Sequence, residues 1–432
     1  MHKVLLFILI LTSVQCTSGQ SNTSGLKLLS TDELKEDFLV FRNALWKTHP
    51  ALDRYIEKKR VNQLFDSCLL SLSEPRTVTD FYVQIKFLIS ALQDGHLRSR
   101  ASDEFNSYIT NQALLFPIEV RFLENKAYAI CSSSDVIKAG NEILTINGQK
   151  IDLIRKRLFN YISSDGAITS YKYRDLSVKF SFYYFMHYGE RENFNITYKD
   201  ELGNIQSTLV DAETMTAMNC KNEYNPPQKL LDFSFRDDNI GILTIKSFDY
   251  YSIRNKNENY TDFLEGAFKK LKDSGSEKLI IDLRGNGGGR DTYGSLLYSY
   301  LTDQDFSYYK SLHNSSRQLT TADHSNLRLQ HPQPNNFQGK VYILTDGYSF
   351  STTAEFCAVT RSNDRATFIG EETGGGYYGN NSGGSVSTTL PHSNITVYVP
   401  TIKYVLDVKP NTHHNRGIIP DHHLTPTIND IL

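Results

Sequence analysis

Between residues 240 and 370 the chain alternates short apolar runs with segments of helical spacing. The runs are Ile240 to Ile245, Lys278 to Leu283, Val341 to Leu344 and Thr367 to Ile369. The helical segments between them are Phe263 to Leu271, Tyr293 to Leu301 and Thr352 to Val359. This alternation predicts a layered α/β core, because each element must bury one face against another layer. Further strands are expected at Thr388 to Leu390 and Ile395 to Val399. The chain of 432 residues, 39% hydrophobic and 22% charged, has room for two or three folded domains.

Upstream of this block the pattern changes twice. Residues 31 to 100 read as helices. Ser30-Thr31-Asp32 caps a first helix bearing Leu39, Phe41, Leu45 and Trp46. A second is expected around Arg60 to Leu72, and Thr77 to Asp80 caps a third that ends at Asp94-Gly95-His96. From Leu115 the spacing turns to strands, Leu115 to Val120 and Lys126 to Cys131, followed by a glycine turn at Gly140 and a tight-turn pair, Asn147-Gly148. A helical stretch from Ile151 to about Tyr188 and an alternating hairpin from Phe194 to Val210 follow. The Asp135 to Ile151 segment resembles the PDZ signature, which gives residues 113–212 as a PDZ-like domain with an enlarged helix. Such domains add a peptide strand to a sheet edge; the alternative is a structural module without a ligand. Residues 213–230, with Pro226-Pro227, read as a linker.

The first residues read as an export signal, residues 1–18, with Lys3 ahead of the apolar run Val4 to Leu11. Ser13-Val14-Gln15-Cys16 fits a loose lipoprotein box that would lipidate Cys16; a plain cleavage near Gln15 to Gln20 is the alternative. The protein is therefore expected to be periplasmic, anchored to the outer membrane as a lipoprotein, or secreted. The other cysteines, Cys68, Cys131, Cys220 and Cys357, lack metal-ligand spacing; an oxidising compartment would permit disulfides among them, but free buried thiols are the default expectation. A net charge of −2 without a basic run argues against nucleic acid as a partner.

The chemistry concentrates in two turns. Val341 to Leu344 breaks at Asp346-Gly347, and Ser351 follows at the mouth of a helix. A serine at a strand-to-helix turn is exposed, and the unpaired N–H groups of the helix start can hold an oxyanion. The second turn is Asp282-Leu283-Arg284-Gly285-Asn286-Gly287-Gly288-Gly289. It lacks the spacing of either phosphate-binding glycine motif. Glycines there let backbone N–H groups face a site unobstructed.

These two segments, with Gly370-Glu371-Glu372-Thr373-Gly374-Gly375-Gly376 and the late Gly417-Ile418-Ile419-Pro420-Asp421, resemble in order and rough spacing the serial motifs of the tail-specific, or C-terminal processing, serine peptidases. The resemblance runs from about residue 80 to the end. It implies an α/β and α+β multidomain chain: an N-terminal helical region at 27–110, the PDZ-like domain, and a crotonase-like catalytic core at 230–432. It implies Ser351 as nucleophile, although strict spacing to Glu355 would select Thr352, and Ser349 is the residual candidate. The oxyanion donors implied are the backbone N–H of Thr352 and of Gly287 or Gly288. Members that use a lysine base carry it where this chain has Gly376. The tricorn-like branch uses a histidine in an Asp-Gly-His context, which Gln93-Asp94-Gly95-His96 matches, so His96 is the expected general base. That branch's third residue, a glutamate, is replaced here by His414. Either Glu371 or another acid orients His96, or the site runs as a dyad.

The expectation is an exported serine endopeptidase acting on unfolded or C-terminal segments of peptide or protein substrates, without metal or cofactor. A catalytically inactive homologue that binds peptide or a hydrophobic ligand is the rival. The oligomeric state is open.

Overall fold

The computed structural model describes residues 27–134, 136–218 and 227–432. The expected signal, the Cys16 lipidation site and Cys220 lie outside these residues.

The N-terminal region comprises β1 (Leu28–Leu29), α1 (Thr31–Thr48), α2 (Lys58–Leu70), β2 (Arg76–Thr77), α3 (Val78–Ala91), β3 (Arg98–Arg100) and α4 (Asp103–Asn111). Ser30 and Glu33 form a reciprocal capping box at the start of α1. The helix stops at Thr48, one residue short of the pre-proline position His49, where helical backbone is disfavoured. Thr77 caps α3 through the Asp80 N–H. Helix α4 was not expected; Ser102 caps it.

The middle region is an antiparallel sheet of β4 (Ile118–Leu123), β5 (Lys126–Ser132), β6 (Glu142–Ile146) and β7 (Gln149–Lys150), continued after two helices by β8 (Asn193–Lys199) and β9 (Ile205–Asp211). The helices are α5 (Ile151–Leu158) and α6 (Ser170–Tyr188). One continuous helical stretch was expected here. It is instead broken by a 3₁₀ turn, Phe159–Tyr161, and a loop through residues 162–169. Ser163-Ser164-Asp165-Gly166 cannot continue a helix, because Gly166 adopts φ +55° and turns the chain. Cys131 is disulfide-bonded, contrary to the expectation of a free thiol. Cys357 is a free, buried thiol.

The C-terminal region follows the expected alternation: β10 (Leu231–Phe235), β11 (Gly241–Ile245), α7 (Tyr250–Asn255), α8 (Tyr260–Asp273), β12 (Lys278–Asp282), α9 (Asp291–Ser299), β13 (Tyr309–His313), β14 (Lys340–Thr345), α10 (Thr352–Ser362), β15 (Thr367–Gly370), β16 (Asn381–Thr389), β17 (Thr396–Leu406) and β18 (His422–His423). The main sheet has the order β10-β11-β12-β14-β15-β18, antiparallel only at the β10 edge. A second sheet pairs β13, β17 and β16, and β3 joins it by pairing antiparallel with the start of β17. Its strand β16 begins at Asn381, earlier than expected, with an irregularity in register between Ser382 and Ser385 around Gly383-Gly384.

Two hydrophobic cores result. One unites the helical region with the middle sheet and takes in Val397 and Val399 from the first half of β17. The other fills the C-terminal region and takes in Tyr404 and Leu406 from the second half of the same strand.

Candidate active site

Strand β14 delivers Ser351 through a turn held by side chains. The Asp346 carboxylate accepts the N–H groups of Gly285 (3.0 Å) and Tyr348 (2.9 Å). Ser349 Oγ donates to the Leu283 carbonyl at 3.0 Å and accepts the Asp346 N–H at 3.1 Å. Ser349 is thus buried and engaged, and the structure does not bring it to His96. Ser351 itself takes φ 55°, ψ −127° at the head of α10. A non-glycine residue in this region is held there by its surroundings, and such strain concentrates at functional sites.

The glycine turn after β12 packs against this serine. Fully buried Asn286 organises it: Nδ2 donates to the Ile245 carbonyl and Oδ1 accepts the Gly288 N–H, each at 3.0 Å. The Asn286 carbonyl accepts the Phe350 N–H at 3.1 Å, which ties the two turns together. Gly288 has φ +98°, and a Cβ there would lie 2.7 Å from Ser351 Cβ. Only glycine lets the chains come this close. Of the three expected oxyanion donors, the Gly288 N–H is committed to Asn286. The N–H groups of Gly287 and Thr352 have no acceptor among the described residues.

His96 reaches Ser351 from the other core. Its Nε2 lies 3.1 Å from Ser351 Oγ. Asp94 shapes the approach, its Oδ1 accepting the N–H groups of His96 (2.9 Å) and Leu97 (3.2 Å). Pairing of β3 with β17 then fixes the chain beyond. The imidazole stacks on Phe350. Burial lowers its pKa to about 4, against a smaller opposing pull from Asp94, so the ring is neutral at neutral pH and able to accept a proton.

Behind the histidine lies a buried polar cluster. Asp94 Oδ2 accepts from His49 Nε2 (3.0 Å) and Asn381 Nδ2 (2.7 Å). His49 Nδ1 accepts the Ala51 N–H, which assigns the proton to Nε2. Burial pushes the Asp94 carboxyl up, but His49, His96 and Asn381 together outweigh it and hold it at about 2. Asp165, fully buried, accepts the Gly95 N–H at 2.9 Å. Burial and the Asp94 charge raise it to about 7. A ring nitrogen of His96 and a carboxylate oxygen of each aspartate lie within 4.8 Å of one another. Such a trio of donors could hold a cation, but Asp94 already accepts from His49, Asn381, His96 and Leu97, which fills its lone pairs.

Glu371 is not brought to His96. Its carboxylate forms a two-pronged pair with Arg174 at 3.2 and 3.0 Å and accepts the Gly347 N–H. His414 packs against the Tyr378 ring. Sequence reasoning missed Asp165, although the run Ser163-Ser164-Asp165-Gly166 is a turn signal inside a stretch read as helix.

Residues 239–424 match the model of peptidase family S41. The C-terminal region is a serine-type peptidase domain of family S41. The fold of the whole chain is similar to that of mature CPAF, at 15% identity over 93% of this chain and 94% of that one, with a TM-score of 0.65. Mature CPAF complexed with lactacystin gives 15% identity, 93% and 95% coverage and a TM-score of 0.64. The photosystem II D1 C-terminal processing protease matches more loosely, at 14% identity over 92% and 94%, with a TM-score of 0.42. The S41 match contains Ser351 and both turns; His96 lies outside it, on the N-terminal side.

Proposed function

We propose that this S41 peptidase cleaves peptide bonds through an acyl-enzyme formed on Ser351, with His96 as general base and acid. The 3.1 Å approach of His96 Nε2 to Ser351 Oγ carries the reading. Ser351 Oγ attacks the scissile carbonyl as His96 takes its proton. The oxyanion is held by the N–H groups of Gly287 and Thr352, which have no competing acceptor among the described residues. His96 then protonates the leaving amine, and water, activated by the same imidazole, releases the acyl group.

The parallel strands β11, β12, β14 and β15 with their crossover helices support a crotonase-like core. The hairpin sheet of residues 113–212 supports a PDZ-like segment. Strand β16 supports substrates that enter in extended form, as unfolded segments or C-termini do. Among the described residues it is the free edge of its sheet, exposed from Gly383, and it starts at Asn381 beside Asp94. The Cys131 disulfide supports export to an oxidising compartment, secreted or on the periplasmic side, with Cys16 lipidation as one form of anchorage. Among the described residues no helix is long and apolar enough to cross a membrane.

Ser351→Ala should abolish cleavage of denatured casein, and a fluorophosphonate probe should label the parent at Ser351 and not the variant. Undiminished turnover by Ser351→Ala would overturn the assignment. Absence of labelling and turnover in the parent would favour a binding protein instead.

A further inference from the structure

The Ser351–His96 contact places a requirement on the far side of the imidazole. A neutral ring that accepts the serine proton at Nε2 must carry its own proton on Nδ1. Nδ1 of His96 is buried and has no hydrogen-bond partner among the described residues. An N–H left there without an acceptor disfavours the reactive tautomer. The competing tautomer, protonated at Nε2, cannot serve as base.

We propose that Asp165 is the positioning acid of this site, accepting from Nδ1–H and holding His96 in the tautomer that faces Ser351. The proposal rests on the Ser351–His96 reading above. Among the described residues, Asp165 and Asp94 are the carboxylates that group with a ring nitrogen of His96, within 4.8 Å. Asp94 is saturated by its four hydrogen bonds and serves the backbone of the turn. Among the described residues Asp165 accepts only backbone N–H groups, from Gly95 at 2.9 Å on Oδ1 and from Gly376 at 3.4 Å on Oδ2, so it has lone pairs to spare. Its loop is fastened where the acid is needed. The Gly166 N–H donates to the Gln93 carbonyl, the Ala167 N–H to the Asn415 carbonyl, and Ser163 Oγ to the Asp94 carbonyl. The missing side chain of Gly95 makes room, since a Cβ there would lie 3.1 Å from Asp165 Oδ1. A carboxylate that fixes a catalytic imidazole's tautomer acts through the histidine without touching the substrate.

The test is Asp165→Asn, which keeps the shape and removes the acid. Its kcat on denatured casein should fall on the order of 10³-fold while KM stays within about threefold, with an unchanged thermal melt. Histidine-selective ¹⁵N NMR at neutral pH should show His96 protonated at Nδ1 in the parent and moved toward Nε2–H in the variant. A variant kcat within about threefold of the parent overturns the proposal, as does an Nε2–H tautomer in the parent. The parent spectrum decides the matter should D165N fail to fold. Should Ser351→Ala or His96→Ala keep full activity, the underlying chemistry falls. Should both be inactive while D165N is not, only the role of Asp165 falls.

Discussion

The Phe350 ring lies against the His96 imidazole with centroids 4.5 Å apart and 26° between their planes. The residue preceding the proposed nucleophile thus packs face to face with the proposed base. Such a pair contributes about 0.5–1.5 kcal/mol beyond area burial. Phe350→Ala should lower kcat roughly 10- to 100-fold through a loosened imidazole, with a smaller change in KM. Steady-state kinetics on denatured casein checks this; an unaffected kcat would show that the stack is not what orients the ring.

Gly288 is where the two turns meet. A methyl group there would lie 2.7 Å from Ser351 Cβ and 2.8 Å from the Phe350 carbonyl oxygen, on a backbone at φ +98°. Gly288→Ala should destabilise the fold by about 1–3 kcal/mol and reduce Ser351 labelling by on the order of 10²-fold or more, as the oxyanion site is pushed apart. Denaturant melts and probe-labelling rates on the same sample separate the two effects.

The titrations of His96 and Asp94 predict opposite ends of the acid range. Burial lowers His96 to about 4, so its base function should persist below the ordinary histidine value and be lost only as pH falls toward the folded value. The acid limb of kcat/KM should accordingly lie below pH 6.5. Asp94, held at about 2, favours the folded state above the ordinary aspartate range near 4; that contribution disappears as pH falls through its folded value. Asp94→Ala should cost about 3–5 kcal/mol, because His49 Nε2–H and the Asn381 amide lose their shared acceptor. Chemical denaturation from neutral pH down to pH 3 would test the sign.

Glu371 offers the contrasting case. Glu371→Gln should leave the rate of Ser351 labelling within a few-fold of the parent and cost about 1–3 kcal/mol of stability, since Arg174 loses its two-pronged partner. A collapse of labelling with intact stability would return Glu371 to the catalytic site.

What could be read in advance was local. The strand–turn–helix at Ser351 and the glycine turn at 285–289 each fit within a dozen residues, and their strands, helices and caps follow from spacing and capping chemistry. The Asp-Gly-His context singled out His96 through family resemblance, not through any local physical rule. What escaped was set by distance along the chain. Apolar spacing on both sides of Ser163 to Gly166 hid a loop inside a helical pattern. The link from Asp94 to Asn381 spans 287 positions, and no local signal encodes it. The commitment of Gly288's N–H to Asn286 depends on a side-chain rotamer, so counting glycines could not separate Gly287 from Gly288 as donors.

Strand β17 belongs half to one core and half to the other, and β3, two residues past His96, is bound to its first half. The proposed nucleophile and base thus come from different cores joined by one strand. A chain with either half unfolded has no intact Ser351–His96 pair. On the proposed mechanism the chain should stay inactive during its synthesis until β17 (Thr396–Leu406) has emerged and closed the seam. Completion of the fold is in that sense its activation step.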